Sequence, residues 1–166
     1  MGTSWVGVET PIPEDEQTVW LGVSYGFWAD DWTLHIWQTM MGEVVDAEPD
    51  APEWLRAIRH VWRESPDGGG CVFIGFTDRL PDTEQREALL QLVLQALQRL
   101  LEFGGDYRRA FPSTKLLENE SETAPAISLA QKVGLIEVSA SIARVLTGAI
   151  GSGEHWPRRG VGPGFR

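Results

Sequence analysis

Residues 18–40 read TVWLGVSYGFWADDWTLHIWQTM, and the reading of this stretch decides the fold class. Val19, Leu21, Val23, Tyr25 and Phe27 alternate with Trp20, Gly22, Ser24, Gly26 and Trp28, and after Ala29-Asp30-Asp31 the run WTLHIWQTM alternates again. A period of two is the mark of a strand with one face buried. The pattern predicts a β-hairpin turning at Asp30-Asp31. Phe27 then faces Leu34 and Tyr25 faces Ile36 on one side, while Gly26 meets His35 and Ser24 meets Trp37 on the other. A three-residue loop would shift the pairing by one and mix the two sets.

Working outward, residues 4–9 (SWVGVE) are β-prone and run into Pro11 and Pro13, which suits an edge strand. Residues 42–49 are read as a further brief strand. Residues 71–77 (CVFIGFT) form a short continuous apolar run, as expected of a strand buried on both faces. The sheet predicted from these segments is antiparallel and rich in tryptophan.

Helical signals fill most of the remainder. Residues 51–64 follow a capping pattern of Asp50 with Glu53, bury Trp54, Leu55, Ile58, Val61 and Trp62, and turn Arg56, Arg59 and Arg63 to the other side. Residues 82–103 begin with Asp82 and Gln85 at capping-box spacing and stop at Gly104-Gly105. Within that helix Gln91, Gln95, Gln98 and Glu102 leave only a narrow polar stripe, which predicts cover on two sides. The polar segment 106–123 holds Tyr107, Arg108, Arg109 and Phe111 as a candidate contact loop. Two further helices are expected over 124–133 and 135–149, separated near Gly134. The predicted architecture is therefore α+β: an antiparallel Trp-rich sheet packed against about four helices in a single domain over 1–150, with 151–166 as a Gly/Pro-rich C-terminal tail.

Charge placement is the most unusual feature. Residues 1–55 contain no Lys or Arg and eleven acids, whereas all 14 basic residues follow, so the first third carries −11 and the remainder +1 of the net charge of −10. Such a surface repels nucleic acid and anionic membrane and attracts a cationic partner. One cysteine, Cys71, cannot form an internal disulfide, and the N-terminus shows no targeting pattern, so a cytoplasmic protein is expected.

Catalytic signatures are absent. His35, His60, His155 and Cys71 show no metal-ligand spacing, no nucleophile motif is present, and the Gly68-Gly69-Gly70 run precedes a predicted strand instead of a helix N-terminus. Neither a metal nor another cofactor is called for. Composition instead points to a non-enzymatic acidic protein that neutralises a basic protein partner, such as an immunity protein or antitoxin against a nuclease-type toxin. Its binding acids would be Glu14, Asp15, Glu16, Asp30, Asp31, Glu43, Asp46 and Glu48. Two alternatives stand beside it: a small-molecule site or enzyme on the sheet face bearing Trp20, Trp28, His35 and Trp37, and a structural subunit that assembles through its long helix.

Overall fold

The computed structural model describes residues 3–10, 23–64, 74, 82–112 and 126–147. They form a strand pair, β1 (Thr3–Thr10) and β2 (Val23–Asp30), and five helices. These are α1 (Asp31–Asp46), α2 (Glu53–Glu64), α3 (Thr83–Glu102), the single turn α4 (Tyr107–Ala110) and α5 (Leu129–Leu146). The fold is mainly helical. This overturns the expected α+β architecture, because the second arm of the predicted hairpin is helix α1.

Two local features explain the difference. Asp30 has an extended backbone and its carboxylate accepts the Thr33 amide at 2.9 Å, so the residue read as a hairpin turn is an N-cap. Beyond it, Leu34, Trp37, Met41 and Val45 are buried at spacings of three, four and four. That helical period lasts three turns, whereas the alternation of Trp32, Leu34 and Ile36 covers only five residues and is compatible with either structure. The segment 42–49, read as a strand, is the end of α1 and the turn after it.

Strand β2 pairs antiparallel with β1 instead. Val6 lies opposite Phe27, Gly7 opposite Gly26 and Trp5 opposite Trp28, and the buried Val6 and Ala29 join the helical core. The strand expected at residues 4–9 is therefore present, as part of β1. The predicted strand at 71–77 lies outside the described residues except for Ile74, which is buried and whose carbonyl accepts the Trp62 indole N–H at 3.0 Å. The tail 151–166 and Cys71 also lie outside them.

Helix α1 is the hub, touching α2, α3, α5 and β2. Trp37 is fully buried and meets the edge of Trp62 on α2, with ring centroids 5.3 Å apart and planes inclined at 73°. Helix α3 starts and stops where its sequence predicts: Asp82 accepts the Gln85 amide at 2.7 Å, and Gly104 and Gly105 take φ of 60° and 81°. Its buried stripe, Leu89, Val93, Ala96 and Leu100, packs into the core shared with α1 and α5. Leu94 and Leu101 stay 42% and 54% exposed, so the helix is less completely covered than its composition suggests.

Of the segment 106–123 read as a candidate contact loop, residues 107–110 form α4 and 113–123 lie outside the described residues. Tyr107 and Phe111 are buried, while Arg99 lies over the Phe111 ring at 5.2 Å and Arg109 over Phe103 at 5.3 Å. The basic-aromatic cluster thus closes the end of α3. In place of two helices broken at Gly134, α5 runs unbroken from a capping box in which Ser128 accepts the Gln131 amide and Gln131 returns an acceptor to the Ser128 amide. Among the described residues no helix is long and apolar enough to cross a membrane.

Candidate functional site

The acids of the first third separate along α1. Asp30 and Asp31 are half-buried at its N-terminus, where Asp30 is committed to the cap and both favour the positive end of the helix dipole. Glu43, Asp46 and Glu48 lie at the other end, about 22 Å away at 1.5 Å per residue. That exceeds the ~8 Å screening length at physiological salt, so the two groups act separately. Glu14, Asp15 and Glu16 lie outside the described residues.

The C-terminal end of α1 lacks a basic residue in its last turn, leaving Glu43 and Asp46 at the negative end of the dipole. Helix α2 supplies the missing cation. Arg59 donates from Nε and Nη2 to the two oxygens of Asp46 at 3.1 and 2.9 Å. Gly42 makes this approach possible, because a Cβ there would lie 2.9 Å from the guanidinium carbon.

A double-mutant cycle tests this clamp. Arg59→Ala should cost about 1 kcal/mol, near the upper end for an exposed pair because the bond is bidentate and the arginine stem is packed. Gly42→Ala should be nearly neutral alone, since a helix-propensity gain of about 1 kcal/mol offsets displacement of the guanidinium. In the Arg59→Ala background the same change should stabilise by about 1 kcal/mol. Urea unfolding of the four proteins measures this, and an equal effect of Gly42→Ala in both backgrounds would dissociate Gly42 from the clamp.

The α1–α2 loop, DAEPDAPE over 46–53, places four acids among two prolines. Asp50 does not cap α2; the Pro52 carbonyl receives the Leu55 and Arg56 amides, each at 3.1 Å. Asp46, Glu48, Asp50 and Glu53 are all exposed. The loop has a cleft on either side. One, of about 390 Å³, runs along α2 beside Arg56, Arg59, His60 and Arg63 and is faced by Asp46 and Glu48. The other, of about 240 Å³, opens toward α3 and is floored by Leu55, Ala88 and Leu92 with Trp54 in its wall. Among the described residues its charged lining consists of Glu48 and Asp50. The corner is electrically two-sided: mixed and arginine-rich along α2, acidic above an apolar floor toward α3.

Of the residues expected to form an aromatic platform, His35 and Trp37 do not share a face. Trp37 lies in the core, His35 is half-buried two residues away and so on a different side of α1, and the His35 ring is 6.3 Å from that of Trp32. Trp28 sits in β2 opposite Trp5, and Trp20 lies outside the described residues. Among the described residues no three His, Cys, Asp or Glu side chains are grouped as a metal would require.

Sequence reasoning placed Glu43, Asp46 and Glu48 in the site but left out Asp50, Trp54, Ala88 and Leu92. Asp50 was assigned to a cap and Trp54 to the buried side of α2. The signal that could have found Asp50 is the alternation of acids with Pro49 and Pro52, which interrupts helix and keeps the intervening carboxylates in solvent. No protein-family model, curated protein or solved structure matches the chain.

Proposed function

We propose that this chain is a non-enzymatic acidic binding protein of the cytoplasm that neutralises a basic protein partner, with an immunity protein or antitoxin as the concrete form. One observation carries the reading: the α1–α2 loop presents Glu48 and Asp50 on the rim of an apolar cleft that, among the described residues, has no basic side chain in its lining. Carboxylates beside a floor that can exclude water attract a cationic surface over distance and hold it once docked. The pairing of Asp46 with Arg59 takes Asp46 out of that surface, while Glu48, Asp50 and Glu53 beside it are exposed. Their charge can replace that of the phosphates which a nuclease's cationic cleft attracts.

The test is charge reversal at three exposed positions, two in the α1–α2 loop and one at the start of α2. With a basic nuclease as probe, the Glu48→Lys, Asp50→Lys, Glu53→Lys protein should lose at least a hundredfold in affinity, chiefly through slower association, and wild-type binding should weaken as salt rises. Binding indifferent to both the substitutions and salt would remove the reading.

A further inference from the structure

Building on that acidic-partner reading, we infer that the cleft between the α1–α2 loop and α3 seats one apolar side chain of a cationic peptide segment, with flanking lysines or arginines meeting Glu48 and Asp50. The volume of about 240 Å³ is below the ~300–1,000 Å³ of sites that enclose whole small molecules, and suits a single inserted side chain. The floor of Leu55, Ala88 and Leu92 gives an aliphatic or aromatic anchor its apolar contacts, and Trp54 offers a ring face beside it. Pro49 and Pro52 form the loop wall and fix its backbone, which lowers the entropy lost on docking.

Charge selects among possible occupants. Both charged residues of the lining are carboxylates, so an acidic or neutral segment gains nothing at the rim, while a basic one satisfies both. A buried apolar anchor surrounded by polar contacts that exclude water is the usual arrangement of a binding hot spot. The electrostatic attraction of the loop then brings the partner in, and the anchor sets how long it stays.

Fluorescence anisotropy with labelled synthetic peptides and the full chain tests this. One probe is a lysine-rich peptide with a single central leucine, the other the same peptide with alanine in its place. The leucine peptide should bind at least tenfold more tightly to the wild type. Ala88→Trp, an exposed substitution that fills the cleft, should abolish that difference. Glu48→Lys with Asp50→Lys should weaken both peptides. Circular dichroism melting verifies that each variant is folded.

Equal affinity for the two peptides, or a leucine preference that survives Ala88→Trp, overturns the anchor while the acidic-partner reading stands. If neither peptide shows salt-dependent binding, both fall. A change in the sedimentation of the protein alone on Ala88→Trp would place a second copy in the cleft and likewise overturn the inference.

Discussion

Trp37→Ala is expected to lower the free energy of unfolding by about 4 kcal/mol, measured by urea denaturation at constant pH. Trp37 is fully buried at the crossing of α1 and α2, so truncation removes its transfer energy and leaves a cavity that packed helices cannot close. The edge contact with Trp62 adds about 1 kcal/mol of coupling, and Trp62 itself holds the Ile74 carbonyl. Against a total of about 5–15 kcal/mol for an ordinary domain, the loss is a large share of stability. The same substitution discriminates between architectures. On an open face of a tryptophan-rich sheet Trp37 would cost little to remove, so a change below about 1 kcal/mol would return it to the surface.

The second large effect is expected at the end of α3. Gly105→Ala should destabilise by about 3 kcal/mol, whereas Gly104→Ala should cost only about 1 kcal/mol. Both glycines have positive φ, so both substitutions carry the left-handed penalty. Their surroundings separate them. A Cβ on Gly104 meets nothing within 4 Å, but one on Gly105 would lie 2.8 Å from Lys132 Cβ and 2.9 Å from the Lys132 carbonyl oxygen. Backbone cannot swing aside as a side chain can, so the turn would be forced off the start of α5 and strain the Asp106–Lys132 ion pair. Thermal unfolding of the two variants measures the contrast. Equal shifts in Tm would mean that α5 does not approach the turn as closely as the structure has it.

These positions also show how far the sequence could be read. The limits of α3 were legible because Asp82 and the paired glycines are local signals acting within a few residues. Helix α2 was legible from its amphipathic period, and so was the strand at residues 4–9. What misled was Asp30-Asp31 between two alternating runs. A hairpin turn and a helix N-cap use the same residue types, and only the persistence of buried positions through Val45 distinguishes them.

The site suffered in consequence. A strand over 32–40 puts His35 and Trp37 on one face with Trp20 and Trp28, whereas in α1 His35 and Trp37 point to different sides. The acidic bias was real, yet sequence alone could not tell that α1 would carry its acids to opposite ends. Nor could it show that Arg59 would reach across thirteen residues to Asp46. That pairing depends on Gly42, a residue with no charge at all.

Binding of a cationic partner at the acid-rimmed cleft of the α1–α2 corner is tested by two-dimensional amide NMR of the full chain titrated with the lysine-rich leucine peptide. Resonances of residues 46–56 and 88–92 should move together with a single affinity, while those of residues 30–33 stay in place. Movement confined to residues 30–33 or to the Arg59–Arg63 face of α2, with the cleft unperturbed, would contradict it.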